Sequence, residues 1–162
     1  MQTSHHAAAR DPALEARLAQ EPGLAGRAIF AYRDVPSTMD VAHELAAAGE
    51  PDGALIWAER QTQGRGRMSR KWESPPGGVY CSVIFRPQRP QAEWPQLSLV
   101  AGLAAAETVE RLAGLHPSIR WPNDLLLDRR KLAGILLEAR QDWVVLGFGI
   151  NVTTPLTELP EG

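Results

Sequence analysis

The sequence predicts an α+β domain: a mixed β-sheet with helices packed mainly on one face. Three observations carry this. Helical and strand-like patterns are intermixed over most of the chain, and a run of strand patterns joined by tight turns follows them. The third is composition: 162 residues, 44% apolar and 22% charged, suffice for one ordinary core and do not fit a disordered chain.

The elements follow in order. Asp11-Pro12 marks a helix start, with Pro12 in the first turn and Leu14 and Leu18 on one side; Pro22-Gly23 ends that helix. Residues 1–27 are therefore an N-terminal extension with a short helix. Ala28 to Val35 reads as a strand. Ser37 or Thr38 can cap a helix running to Ala48, with Val41, Leu45 and Ala48 on one face. Gly49 to Gly53 is a turn and Ala54 to Ala58 a short strand. Gln61 to Gly78 is dense in glycine, proline, arginine and lysine and must be a long loop; such loops in compact domains usually carry function. Val79 to Phe85 returns to strand, and Leu97 to Leu115 is an alanine-rich helix. Ser118–Trp121, Asp124–Asp128, Lys131–Ala139 and Trp143–Ile150 read as strands, with turns at Arg129-Arg130 and Gln141-Asp142.

A net charge of −2 argues against bulk attraction to nucleic acid or to a membrane surface. The single cysteine, Cys81, excludes an intrachain disulfide framework and points to a reducing compartment. No apolar run reaches the ~18 residues of a membrane span. Met1 to Arg10 lacks the apolar core of a secretory signal. A cytoplasmic protein is expected.

Four motifs can carry chemistry. In Gly64-Arg65-Gly66-Arg67-Met68-Ser69-Arg70-Lys71-Trp72, glycines free the backbone to donate to an anion, and arginines offer planar forks for carboxylate or phosphate oxygens. The same residues are compatible with a solvated basic loop or an arginine–glycine nucleic-acid segment. Arg120-Trp121-Pro122-Asn123-Asp124 places two oxygen-bearing side chains at a bend, where they could meet magnesium or phosphate-bound water, though Asn-Asp is also a common turn pair. Lys131 leads the apolar strand Leu132-Ala133-Gly134-Ile135-Leu136-Leu137-Glu138 and can offset charge on a phosphorus or carboxylate oxygen, or simply end a strand. Gly147-Phe148-Gly149-Ile150-Asn151 puts small residues where a ligand can lie against a sheet, or where a bulge forms.

In order and spacing, Ser37-Thr38, the Gly-Arg-Gly-Arg loop through Arg70 and Trp72, Trp121-Pro122-Asn123-Asp124, Lys131 to Ile135 and Gly147 to Asn151 resemble the biotin–protein ligases, from about Val35 to Val152. The resemblance implies a fold like the catalytic domain of class II aminoacyl-tRNA synthetases and biotin ligases. It implies ATP and biotin as substrates, Mg2+ as cofactor, biotinyl-5′-AMP as intermediate, and a lysine of a biotin carboxyl carrier domain, of acetyl-CoA carboxylase or a related carboxylase, as acceptor. It further implies that Ser37 and Thr38 bond the ureido ring, that Gln61 contacts the same ligand, and that Gly64, Arg65, Gly66 and Arg67 order over biotin and its adenylate. Arg67 and Arg70 would face the ATP phosphates, Trp72 would build the nucleotide site, and Asn123 and Asp124 would lie near phosphates and magnesium, with Asp124 as metal ligand. Lys131 would contact the carboxylate and α-phosphate, making Arg67 and Lys131 the catalytic pair. Gly134 and Gly147 would line the biotin slot and Asn151 would border the nucleotide. By analogy a homodimer would form through a sheet edge.

Departures from the family are visible. Met39 stands in the biotin site where relatives often carry asparagine, and a thioether cannot donate an amide hydrogen bond. The residues before the match are too few for a helix-turn-helix domain, so DNA binding is not expected. Residues 28–162 are expected to be a catalytic domain incomplete at its C-terminus. Two other readings stay open: a lipoate or octanoate ligase or transferase of the same fold, and a non-catalytic module binding through the basic loop. His5, His6, His43 and His116 show no metal-ligand spacing; Cys81, Trp57, Trp94 and Trp143 read as packing residues, and Glu138 as the partner of a strand neighbour.

Overall fold

The computed structural model describes residues 8–140, 142–155 and 157. His5, His6 and Gln141 of the expected turn lie outside these residues, as does most of 156–162. Three α-helices and seven strands run in the order α1 (Pro12–Leu18), β1 (Ile29–Val35), α2 (Thr38–Ala47), β2 (Leu55–Gln61), β3 (Gly78–Phe85), α3 (Gln96–Ala113), β4 (Ser118–Arg120), β5 (Asp124–Leu127), β6 (Arg130–Arg140) and β7 (Trp143–Asn151). The strands form one mixed sheet ordered β1-β2-β3-β7-β6-β5-β4, in which β1 and β2 are parallel and the other pairs antiparallel. Two antiparallel neighbours can share a tight turn, whereas the parallel pair needs a crossover, which α2 supplies.

Register assigns the faces. Ile56, Ser82, Gly147 and Leu136 stand across from one another on one side of the sheet, because cross-strand partners share a face. On that side Met39, Ala42 and Ala46 of α2 pack with Phe30, Tyr32, Ile56, Ala58, Ile84 and Val145. On the other side Ala101 of α3 packs with Ile135 and Leu146, joined by Phe85, Leu137 and Phe148. The mixed sheet and the α+β class are those expected. The helical cover, expected mainly on one face, is divided between the two: α2 bridges strands at one end of the sheet and α3 returns behind the other.

Details of α2 differ from the pattern in the sequence. Its inward residues are Thr38, Met39, Ala42, His43 and Ala46, while Val41 and Leu45 lie at the margin and Ala48 is exposed. The reason is the cap. Ser37 Oγ accepts from Met39 N at 3.3 Å, which turns the first helical residues toward the sheet, and the face at i, i+3, i+4 and i+7 from Met39 follows. The β5–β6 turn falls on Asp128 and Arg129, both left-handed, one residue earlier than expected.

The described part of the N-terminal extension blunts one sheet edge. Asp11 N donates to Ala31 O at 2.7 Å, Arg10 bridges Tyr32, and Glu15 Oε1 accepts Ala31 N at 3.0 Å. These bonds occupy polar groups that an edge strand otherwise leaves open. Asp11 also caps α1 by accepting from Ala13 N and Leu14 N.

Candidate active site

The long segment after β2 is not an open loop. Gly66 N donates to Arg70 O at 2.7 Å and Trp72 N to Gly64 O at 2.9 Å, so residues 64–66 and 70–72 form a small hairpin with its turn at Arg67–Ser69. Met68 and Ser69 take left-handed dihedrals, and Met68 is 84% exposed at the tip. Gly64 is required here because a Cβ would meet Trp72 O and Ser74 Oγ.

This lobe folds over the α2 side of the sheet and encloses a cavity of about 390 Å³. The floor is made by three glycines. Gly134 of β6 pairs with Gly149 of β7, and Gly147 follows on the same face. The Trp72 indole lies flat on Gly134 and Gly149, since a Cβ on Gly134 would stand 2.8 Å from the ring and one on Gly149 would overlap it. Met39 lies against Gly147 in the same way. Gly134 and Gly147 are the glycines expected to line the slot, and Gly149, of the same Gly-Phe-Gly motif, joins them because alternate residues of a strand share a face.

One wall is neutral and polar. Gln61 Oε1 accepts from Thr38 N at 2.8 Å and from Thr38 Oγ1 at 3.1 Å, while Gln61 Nε2 donates to Ser74 Oγ at 2.9 Å. Ser82 Oγ donates to Thr38 Oγ1 at 2.8 Å. Ser37, Thr38, Ser74 and Ser82 are all buried, so these hydroxyls hold fixed positions before any ligand arrives.

The opposite end is cationic. Arg67, Arg70, Arg120 and Lys131 line the cavity there with one lining carboxylate, Asp124, whereas Arg65, also a lining residue, is paired with Asp40 and Glu138 on the α2 side and Lys71 with Glu73. Arg67 reaches Asn123 Oδ1 at 3.3 Å, and Asn123 is tied to β6 by its Nδ2 to Ile135 O at 2.9 Å. Lys131 Nζ lies 2.9 Å from Asp124 Oδ1 and 5.1 Å from the Trp72 ring centre, a cation–π distance. Asp124 Oδ2 accepts from Arg120 at 2.7 Å. Burial opposes ionisation of Asp124, but Arg120 and Lys131 outweigh it and hold the carboxyl below its ordinary range. Each oxygen of Asp124 is engaged by a cation, and among the described residues there is no group of three metal-ligating side chains.

Most of the expected site residues thus meet at one cavity: Ser37, Thr38, Met39, Gln61, Arg65, Gly66, Arg67, Arg70, Trp72, Asn123, Asp124, Lys131, Gly134 and Gly147 all line it. Two expected residues stand behind it. Gly64 shapes the hairpin, and Asn151 donates to Lys131 O at 3.1 Å from the next strand. Glu138 does not pair with a strand neighbour; its Oε2 lies 3.1 Å from His43 Nε2 and accepts from Arg65 at 3.0 Å. The hydrogen bond from His43 holds Glu138 below the usual carboxylate range, burial opposes it, and Arg65 adds to the lowering. Cys81 faces away from the cavity, and burial pushes its thiol up to about 12, which removes it as a nucleophile. Trp94 and Trp143 are buried packing residues, as expected.

Comparison with known proteins agrees with this geometry. The bifunctional ligase/repressor BirA of Bacillus subtilis is 45% identical over 137 residues, covering 80% of this chain and 42% of that protein. The biotin–[acetyl-CoA-carboxylase] ligase of Mycobacterium tuberculosis is 42% identical over 119 residues, covering 70% and 45%. The chain therefore spans less than half the length of these curated relatives. Among solved structures, a biotin protein ligase from Aquifex aeolicus in complex with biotin and ATP superposes with a TM-score of 0.72 at 36% identity, covering 83% of this chain and 55% of that one. A biotin protein ligase from Leishmania major in complex with biotinyl-5-AMP gives 0.71 at 30% identity, covering 78% and 58%. The model of the biotin/lipoate A/B protein ligase family matches residues 30–153, more than half of the sequence, and the chain belongs to that family.

Proposed function

We propose that this chain carries the adenylating site of a biotin–protein ligase, which forms biotinyl-5′-AMP and transfers biotin to a lysine of a biotin carboxyl carrier domain. The observation that carries this reading is the division of one cavity into a neutral hydrogen-bonding end and a cationic end, with a flat apolar slot of three glycines and Trp72 between them. A cyclic urea suits the fixed hydroxyls and the Gln61 amide, an alkyl chain suits the slot, and a carboxylate meeting an α-phosphate suits the cations. The lipoate reading is less well served, because a dithiolane or plain acyl end has no N–H or C=O to use the remaining hydrogen-bonding capacity of this polar wall.

The reaction requires two anions to approach. The biotin carboxylate attacks the α-phosphorus of ATP and pyrophosphate leaves. The acceptor lysine amine then attacks the mixed anhydride, the nitrogen loses a proton, and AMP departs. No protein nucleophile is needed, so the chain contributes positioning and charge stabilisation. Arg67 and Lys131 offset the repulsion, and the hairpin lobe over the cavity excludes water that would hydrolyse the anhydride. Magnesium bound with the nucleotide would offset phosphate charge, and Asn123 and Asp124, whose oxygens face Arg67, Arg120 and Lys131, are the residues that would hold it. Of the two sheet edges, β1 is covered by the N-terminal extension, which leaves the exposed β4 as the edge for a carrier domain or a second copy of the chain. We place the protein in the cytoplasm, where ATP and carrier domains meet; among the described residues no helix is long and apolar enough to cross a membrane.

Exchange of labelled pyrophosphate into ATP tests the reading. Exchange that requires biotin and is not supported by lipoate is expected. Exchange with lipoate alone would move the chain to the other branch of the family. Biotin binding without exchange would locate the biotin half-site here and the rest of the nucleotide site elsewhere.

A further inference from the structure

We propose that Glu138 and His43 are positioning residues for the glycine–arginine hairpin, acting through Arg65. His43 lies on α2 and is 3% exposed. Its Nδ1 faces the indole Nε1 of Trp143 at 3.0 Å. An indole nitrogen can only donate, so His43 Nδ1 accepts and carries no proton, and the ring proton sits on Nε2. That proton is donated to Glu138 Oε2 at 3.1 Å. The same oxygen accepts from Arg65 Nη2 at 3.0 Å, and Arg65 Nη1 donates to Asp40, one turn before His43, at 2.6 Å.

Four elements thus converge on one guanidinium: the hairpin lobe through Arg65, α2 through Asp40 and His43, β6 through Glu138, and β7 through Trp143. An ion pair between two exposed side chains contributes little, because both must be ordered to make it. Here Glu138 is ordered beforehand by an imidazole whose tautomer is set in the core, so Arg65 meets a fixed acceptor. Arg65 stands between Gly64 and Gly66, the two most freely jointed residues of the lobe. Anchoring it fixes one strand of the hairpin, and Arg67 to Asn123 fixes the turn. Glu138 and His43 do not line the cavity. Their effect is on how often the lobe is closed, not on the reacting atoms. The kinetic consequence rests on the ligase reading; the structural one does not.

Limited trypsin digestion of the full chain separates them, because Arg67, Arg70 and Lys71 are cleavage sites within the lobe and Arg129 and Arg130 at the β5–β6 turn are reference sites. Glu138→Ala is expected to speed lobe cleavage about tenfold relative to the reference sites, the scale of a lost charge-assisted hydrogen bond. Arg65→Ala should do the same, and the double variant no more than either single one. Glu138→Gln, whose amide oxygen still accepts from Arg65, should restore most of the protection. His43→Leu should give an intermediate rise. Lobe cleavage unchanged in Glu138→Ala, additive single effects, or equal acceleration at lobe and reference sites would overturn the proposal. In the exchange assay Glu138→Ala should raise the KM for biotin about tenfold with kcat changed less than about twofold, since closing the lobe is a cost on binding. An equal fall in kcat with KM unchanged would overturn it as well. An unsubstituted chain that neither binds biotin nor supports biotin-dependent exchange would remove the ligase reading and leave the digestion comparison intact.

Discussion

A side chain at Gly149 has nowhere to go: the Trp72 ring occupies the space its Cβ would take, and that ring rests on Gly134 as well, with Lys131 Nζ 5.1 Å from its centre. Gly149→Ala is therefore expected to lift Trp72 off the slot. Overpacking of this kind costs about 1–3 kcal/mol, so the thermal midpoint should fall by a few degrees, and biotin affinity measured by calorimetry should fall roughly tenfold or more as the slot is distorted. The charged residues act differently. On the proposed ligase reading, Lys131→Ala and Arg67→Ala each remove a cation from the meeting point of two anions and should cut adenylate formation by orders of magnitude, read as pyrophosphate exchange. Near-normal exchange in either variant would deny that residue its role. The glycine triad and the cations were legible as residue types. The pairing of Glu138 with His43 and Arg65 was not, because those residues lie 95 and 73 positions apart and nothing local marks them as partners.

At the scale of elements, the turns and caps behave as short-range chemistry dictates. The β5–β6 hairpin closes on Asp128 and Arg129 with both residues left-handed, the geometry that favours glycine at the second position. Arg129→Gly should raise stability by about 0.5–1 kcal/mol, seen as a higher urea midpoint with unchanged slope. At the end of α2, Arg86 donates to Ala46 O at 2.7 Å, a carbonyl of the last helical turn, and to Glu50 O at 3.1 Å in the turn that follows. Arg86→Ala should cost about 1–3 kcal/mol and lower the thermal midpoint. The strands and helices were readable from period and turn residues, with errors confined to ends. The inward face of α2 is not legible locally, because Val41 and Leu45 are its larger aliphatics whereas the cap geometry turns Met39, Ala42 and His43 inward.

Across the whole molecule, Asp11, Glu15, Asp124 and Glu138 all have carboxyls held below their ordinary range, chiefly by Arg33, Arg10, Arg120 with Lys131, and His43 respectively, with burial opposing in each case. A carboxylate with a depressed folded value stabilises the fold above the unfolded value and loses that contribution as pH falls through the folded one. Stability should therefore be flat in these groups above about pH 5 and decline below about pH 4, as checked by thermal midpoints across an acid series. A midpoint rising on acidification below pH 4 would contradict these pairings.

The sequence by itself determined the family, the strands and helices, and the residue types of the site. Each of these depends on short motifs in a fixed order, or on period and turn chemistry within a few residues. Only the tertiary structure decided which face of the sheet becomes the cavity, that Trp72 lies on Gly134 and Gly149, that Asp124 is shared between Arg120 and Lys131, and that a buried histidine reaches the arginine hairpin through Glu138. Those outcomes depend on β6–β7 register and on the docking of α2, which bring together residues far apart in the chain. A one-residue slip of that register would turn every glycine of the floor to the opposite face.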